Sequence, residues 1–328
     1  MSRRGGALLR AAGGLAVVVA LLRWLGPGPF LQGLRSLVGA AVALAMLLGA
    51  VTTAAAAWRW TVVAGGLGVR IPLPRAVAAC YQSQFLNTML PAGVLGDVHR
   101  AIENGRDNGD LGRGVRAVVW ERTAGQAAQV MLASAIFLAL PSPLPPVVPV
   151  LLAVVMIVAV AVVIGGAARR PESTAWPARL LRVIRSDLRD AVLARGVWPR
   201  VGAASVVVVA GHLATFLIAA HSVDPAAGGW RVLPLAMLVL LAAALPLNVA
   251  GWGPREGVAA WAFGAAGLGT DRGAAVATAY GVLVIASCLP GAVILVVTRW
   301  RRARRVPEAG VAGRRPQGAS GRTEVGCG

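Results

Sequence analysis

Four stretches without a charged side chain limit how this chain can fold. Residues 36–58 and 201–223 run uncharged for 23 residues each, 273–298 for 26 and 123–168 for 46. A helix needs about 20 predominantly apolar residues to cross the hydrocarbon of a bilayer, so the first three predict crossings at 37–57, 201–222 and 273–298. The fourth is interrupted by Pro141, Pro143, Pro145 and Pro146, which cannot continue a helix. It reads as two crossings, 115–140 and 146–168, joined by an uncharged hairpin. A sixth fits 7–25, with Arg10 close enough to one end to reach the interface. Ser2-Arg3-Arg4 precede that segment as they would in a signal peptide, but no clear small-x-small cleavage site follows, and a retained first span is the better reading. Composition agrees, since 57% apolar against 14% charged residues is too little charge to coat a soluble domain of 328 residues.

The charge that remains is lopsided. All 32 basic residues are arginine, 13 acids oppose them, and the net charge is +19. Such an excess fits either a nucleic-acid footprint or cytoplasmic loops that keep arginine on the inner side of a membrane. Placing the N-terminus inside puts 26 of the 32 arginines on the cytoplasmic side, Arg59 among them, and only Arg23, Arg35, Arg231 and Arg272 on the other. The membrane explanation therefore suffices, and no nucleic-acid partner is needed. Arg122 and Arg255 belong to neither side and lie at membrane depth. Cys80, Cys288 and Cys327 form no spaced pair, which argues against a disulfide framework or a zinc site.

Two segments do not fit simple crossings. Residues 76–105 contain an uncharged but polar stretch with Gln82, Gln84, Asn87 and Pro91, and must enter and leave on one side if 115–140 is to cross. Residues 232–269 break around Pro246 and Asn248, and the uncharged run that follows, 257–270, is too short to span. The breaks share a pattern: Leu90-Pro91 precedes Gly96 and Arg100, Leu245-Pro246 precedes Gly251 and Arg255, and every pair is separated by 155 residues. Each half, 7–140 and 146–298, then reads span, span, re-entrant hairpin, span. Three full crossings per half insert the second half upside down. Interrupted segments at matching positions of an inverted repeat point to a binding site near the bilayer midplane.

The expected fold class is thus an all-α polytopic membrane protein with six full spans and two re-entrant helical hairpins. It forms one membrane domain over 1–300, with a basic cytoplasmic loop at 169–200 and an Arg-rich, disordered tail at 301–328. In that loop Leu181, Ile184, Leu188 and Val192 make an apolar stripe beside Arg182, Arg185 and Arg189, as in a helix lying on an anionic leaflet.

Ionisable groups at membrane depth cost about 2.5–3.5 kcal/mol each even on lenient scales, so they pair and often mark a pathway. Asp97, His99 and Arg100 sit at the first break, Glu121 and Arg122 about two turns into the next helix, and Arg255 and Glu256 at the second break. Adjacent residues such as Glu121 and Arg122 do not face each other on a helix. Their partners come from other elements, Arg100 or Arg255 for Glu121 and Asp97 or Glu256 for Arg122. Arg100, Arg122 and Arg255 would make a guanidinium cluster suited to bidentate capture of phosphate; a structural ion-pair lock stapling the hairpins together is the competing reading. His212 and His221 have no partner at metal spacing and read as core residues. No Walker loop, nucleophile elbow or zinc-protease pattern occurs, and Gly65-Gly66-Leu67-Gly68 lacks a flanking strand. Neither an enzyme nor a cofactor is expected.

The run from Asn87 through Pro91, Gly96 and Asp97 to Arg100, followed by Glu121-Arg122-Thr123-Ala124-Gly125 and Gly251-Trp252-Gly253-Pro254-Arg255-Glu256-Gly257, resembles the lysylphosphatidylglycerol synthase transmembrane-domain family, also called the flippase-like domain family, over roughly residues 10–300. Leu95 departs from the pattern, standing where many relatives carry a second glycine. The resemblance implies a multi-pass protein of the bacterial inner membrane, with both termini cytoplasmic, that moves a phospholipid or lipid-linked anionic head group between leaflets. Asn87, Pro91, Gly96, Asp97, Arg100, Glu121, Arg122, Gly251, Arg255 and Glu256, the break and membrane-depth residues read above, are the candidate substrate-binding residues. Only about 30 residues follow the last span, so the soluble synthase domain of two-part members is expected to be absent. Anionic or aminoacylated membrane lipids are the expected partners, and self-association into a homo-oligomer is compatible with the sequence. The alternatives are an accessory subunit or enzyme acting on a polyprenyl-phosphate or glycolipid, and a purely structural membrane protein.

Overall fold

The computed structural model describes residue 23, residues 27–90 and 93–140, residue 147, and residues 176–225, 229–244 and 253–304. Almost all of the expected crossing at 7–25, the crossing at 146–168, the proline hairpin before it, Pro91, Gly251, Asn248 and the tail beyond residue 304 lie outside the described residues. Every regular element within them is helical. In chain order these are α1 (Gly28–Arg35), α2 (Gly39–Gly66), α3 (Leu73–Met89), α4 (Leu95–Asp107), α5 (Leu111–Ala139), α6 (Trp176–Asp187) with a π-helical turn at Leu188–Val192, α7 (Trp198–Val223), α8 (Gly229–Ala243), α9 (Pro254–Ala265) and α10 (Thr270–Arg304).

α2, α7 and most of α10 are long and apolar enough to cross a membrane. Their outer faces carry exposed large apolar side chains, among them Leu44, Leu47 and Val51 on α2, Val206 on α7 and Val293 and Val296 on α10. In water such faces would be aggregation patches; in a bilayer they meet lipid. The crossing expected at 37–57 runs further than its uncharged run, because α2 continues through Arg59 to Gly66. Arg59 is therefore not a loop residue. It lies seven residues inside the helix, about 10 Å from its end at 1.5 Å per residue.

The helices fall into two runs of the same order. Among the described residues α2, α3, α4 and α5 have 28, 17, 13 and 29 residues, and α7, α8, α9 and α10 have 26, 15, 12 and 35. In each run two short helices flank the positions where the sequence places Leu90-Pro91 and Leu245-Pro246, with residues 91–92 and 245–252 themselves outside the described residues. The core has two parts. Phe216, Leu235, Met237, Phe263 and Leu283 of α7–α10 bury themselves with Phe137 of α5 and Ala45 of α2. Trp60 of α2 packs with Ala76 and Cys80 of α3, Ala101 of α4 and Ala117 and Val118 of α5.

Small residues bring the backbones together, as they must where lipid tails supply no hydrophobic drive between helices. Gly96 lies against the Ser83 carbonyl, closing α4 onto α3. Gly114, the fourth residue of α5, lies against Gly105 and Ala101 of α4, and Gly273, the fourth residue of α10, lies against Ala259 and Phe263 of α9. The break–helix–helix junction is thus built alike in both runs. Leu95 is the first residue of α4, helical and largely exposed, so nothing at that position requires a glycine.

The loop helix differs from the stripe drawn from its sequence. Leu188 and Ala191 are buried, with Ala191 against Gly66 at the end of α2, while Ile184 is exposed. The π turn closes through Leu193 N–H to the Leu188 carbonyl and inserts one residue into the helical register, which separates Ile184 from the face that Leu188 occupies.

A methyl group at Gly96 or Gly273 would overlap a neighbouring carbonyl, whereas Gly202 on α7 faces open space. Gly96→Ala and Gly273→Ala are expected to lower stability by about 1–3 kcal/mol, and Gly202→Ala to hold or raise it. Thermal unfolding in detergent checks this, and equal midpoints for all three would contradict the packing described.

Candidate functional site

Glu121 is the most buried charged group of the first cluster. Its α5 position points it between α2 and α4, with about 2% of its surface exposed. Oε1 accepts from Arg59 Nε at 3.0 Å and Nη2 at 2.5 Å, and Oε2 accepts from Arg100 Nη2 at 2.6 Å. Two guanidiniums on one carboxylate leave a net positive charge, and the next acid balances it: Arg100 Nε donates to Asp97 Oδ1 at 3.0 Å. Arg100 is further held by the Trp60 ring, 4.9 Å from its guanidinium carbon, and by Cys80 Sγ at 3.5 Å. Arg59 donates its remaining Nη1 to Ser205 Oγ of α7 at 3.0 Å, and Gly125 leaves room for its guanidinium, since a Cβ there would come within 2.8 Å.

Asp97 is the other hub. It accepts from Ser83 Oγ and Asn87 Nδ2 of α3, each at 3.0 Å, and from Arg122 Nη2, 2.9 Å from Oδ1 and 2.8 Å from Oδ2. Asn87 in turn accepts from the Gly96 N–H at 2.8 Å through Oδ1, which ties the two arms of the break together. Glu121 and Arg122, adjacent in sequence, leave α5 in different directions: Glu121 is enclosed, while 46% of the Arg122 side chain is exposed.

The second cluster is smaller. Glu256 Oε1 accepts from Arg255 Nε at 2.8 Å and also from its Nη2, and Glu256 Oε2 accepts from the Gly253 N–H at 2.8 Å. These neighbours do pair, against the rule for helix interiors, because the first turn of α9 lets Glu256 fold back onto the N-terminus. Gly253 supplies the entry with φ of 140°, a conformation glycine adopts without strain. The Arg255 guanidinium lies 5.5 Å from the Tyr280 ring of α10 and occupies the space left by Gly281. Tyr280 Oη is 3.2 Å from His212 Nδ1 of α7.

Both clusters line one cavity of about 490 Å³ walled by residues of α2, α3, α4, α5, α7, α8, α9 and α10, with Gly93, Val94 and Gly253 beside the two interruptions also in its lining. The structure therefore brings Asn87, Asp97, Arg100, Glu121, Arg122 and Arg255 together on its walls, with Glu256 behind Arg255; Gly96 serves the α3–α4 packing. Of the expected pairs, Arg100 with Glu121 and Asp97 with Arg122 are present. The arginines do not form a single cluster of open guanidiniums, since Arg100 is enclosed by partners and Arg122 presents the open face. The register of the match also changes. Asp97 and Glu256 are each the third residue of their helices, so the acids correspond structurally while Arg100 lies one turn further along than Arg255.

Sequence reasoning missed Arg59. The signal was available: residues 60–69 are uncharged again, so Arg59 is a lone charge inside a run that otherwise extends from 36 to 69. It also passed over Gln126, Gln129 and Thr215, whose side chains line the cavity, and read His212 as core although it stands on the cavity wall.

Apolar helices of spanning length around a polar, ion-paired cavity define a helical integral membrane protein. Within that class the model of the family described as the lysylphosphatidylglycerol synthase TM region matches residues 11–307, and the chain belongs to that family. No curated protein and no solved structure matches it.

Removing the Glu121 carboxylate leaves two buried guanidiniums facing each other. Glu121→Ala is expected to destabilise by about 3–5 kcal/mol, whereas Arg122→Ala, at a half-exposed pair, should change stability by less than about 1 kcal/mol. Unfolding midpoints of the two purified variants measure the difference, and a Glu121→Ala protein as stable as the parent would refute the central role of that carboxylate.

Proposed function

We propose that this chain moves a lipid with a phosphate-bearing head group between the leaflets of a bacterial cell membrane, and that Arg122 is the residue that takes the phosphate. The observation that carries this reading is the cavity: residues flanking both interruptions line it, and four guanidiniums but two carboxylates stand on its walls. Broken backbone at membrane depth is tolerable only where it is buried in protein or lines a wet cavity, and Gly93, Val94, Gly253 and Pro254, which flank the interruptions, line this one. Arg59 and Arg100 serve the fold, because their nitrogens are taken up by Glu121, Asp97 and Ser205. Arg122 can offer a face to a ligand while keeping Asp97.

In this reading α3–α4 and α8–α9 are re-entrant hairpins that enter from opposite sides, in an inverted repeat of six spans with both termini cytoplasmic. The matching order of α2–α5 and α7–α10, and the glycine junctions they share, support it. The membrane domain acts as a translocator, and the acids of its cavity hold arginines. Membrane lipid is its partner.

Two measurements test the proposal. In proteoliposomes carrying a head-group-unmodified, fluorescently tail-labelled anionic phospholipid, a membrane-impermeant quencher should reveal protein-dependent transfer from the inner leaflet. Arg122→Ala should slow that transfer about tenfold or more, the loss of one charge-assisted contact, and transfer at the parental rate would overturn the assignment. In a Cys327→Ser background, Asp107→Cys and Asp271→Cys, both exposed at the ends of their hairpins, should react with an impermeant thiol reagent from opposite sides of the membrane. Labelling from one side would refute the inverted arrangement.

A further inference from the structure

We infer that the cavity selects a lipid whose head group is a phosphate carrying neutral hydroxyls, a glycerol or glycosyl phosphate, and excludes an aminoacylated head group. This rests on the reading above of Arg122 as the phosphate ligand and narrows it to a substrate class. Two features of the walls carry it, one of charge and one of hydrogen bonding.

An aminoacylated head group brings an ammonium, which at membrane depth requires a carboxylate. The cavity walls offer two, and both are committed. Asp97 accepts from Ser83, Asn87, Arg100 and Arg122, and Glu121 from Arg59 and Arg100. Glu256 stands behind Arg255 and is not part of the described wall. Residues 91–92 and 245–252, outside the described residues, contain no acid. A cation entering here would face four guanidiniums without a free counter-charge among the described residues.

The same wall is well supplied for hydroxyls. Arg122, Gln126 and Gln129 follow at spacings of four and three on α5, which puts them on one face of the helix, and all three line the cavity. Neither glutamine amide makes a hydrogen bond to another described side chain or backbone group, although both are half-buried. They lie about 6 and 10 Å along the helix axis from Arg122. An amide both donates and accepts, so each can serve a hydroxyl in either sense. His212, Thr215 and Tyr280 bring further polar groups to the walls from α7 and α10. The result is a guanidinium for the phosphate with a neutral, bifunctional track leading away from it.

The test is lipid retention by the full chain in native mass spectrometry, with phosphatidylglycerol, phosphatidic acid and lysylphosphatidylglycerol of matched acyl chains. Phosphatidylglycerol should be retained about tenfold better than phosphatidic acid, which lacks the hydroxyls, and at least tenfold better than the lysyl ester. Gln126→Leu/Gln129→Leu should bring the first ratio close to one with phosphatidic acid retention unchanged, and Gln126→Ala/Gln129→Ala, which removes the amides without putting apolar branches in their place, should do the same. Arg122→Gln should weaken both anionic lipids and leave their ratio intact. Equal retention of the lysyl ester overturns the charge argument, and an unchanged ratio in both glutamine variants overturns the hydroxyl track, leaving the amides as ligands of water only. Selective retention without transfer in proteoliposomes would sink translocation and keep this assignment; transfer of all three lipids at one rate would do the reverse.

Discussion

The carboxylate of Glu121 is the interaction on which the rest depends. A charge enclosed by apolar helices is tolerated only when its partners replace the water it has lost, and Glu121 recruits two, from α2 and α4. Two arginines on one acid overshoot, so Asp97 follows, and after it Arg122. The charges alternate along the chain Arg59, Glu121, Arg100, Asp97, Arg122, with three positive and two negative members. The surplus positive charge therefore cannot be cancelled internally. The geometry passes it from the buried end to the half-exposed one, on the cavity wall. Because Glu121 and Arg122 are neighbours on α5, the chain returns to the helix it left and ties α4 to α5 by two independent ion pairs.

The second half repeats the device in reduced form. Glu256, like Asp97, is the third residue of its helix, where the unpaired N–H groups and the helix dipole favour an acid. Asp97 uses α3 side chains and two arginines; Glu256 uses its neighbour Arg255 and the Gly253 N–H. No acid on α10 occupies the place of Glu121, and Tyr280 and Gly281 stand against Arg255 instead. The two ends of the cavity are thus alike in backbone and unlike in electrostatics.

How much of this the sequence declares follows from the kind of signal each part leaves. Uncharged runs of spanning length report α2, α7 and α10 directly, because the bilayer imposes a length. The interruptions between α3 and α4 and between α8 and α9 are signalled by polar residues and prolines that would be costly in a plain span. Individual ion pairs are legible in part where burial leaves few options: the need of buried charges for partners on other elements narrows Glu121 to Arg100 or Arg255 and Arg122 to Asp97 or Glu256, and the structure selects Arg100 and Asp97. Arg59 escapes because a charge at the end of a run looks like a loop residue until the helix is seen to continue. The Arg255–Glu256 pair escapes because an interior-helix rule fails in the first turn. The glutamine track escapes for a different reason, since a neutral polar residue in a long helix carries no demand strong enough to locate its face; only the cavity shows that Gln126 and Gln129 share a wall with Arg122.

The graded burial of the ion-pair chain separates holding the fold from holding a ligand. Interactions at Glu121 are enclosed, and breaking one strands a charge at a cost of several kcal/mol. The Arg122–Asp97 pair is open on the Arg122 side, where solvent screening leaves such a contact worth about 1 kcal/mol or less. A phosphate can therefore compete for Arg122 without touching Glu121. Should Arg122 swing away, Asp97 still accepts from Ser83, Asn87 and Arg100 and is not left bare. The most exposed link of the chain is the one whose loss the structure tolerates, and it is the link that borders the cavity.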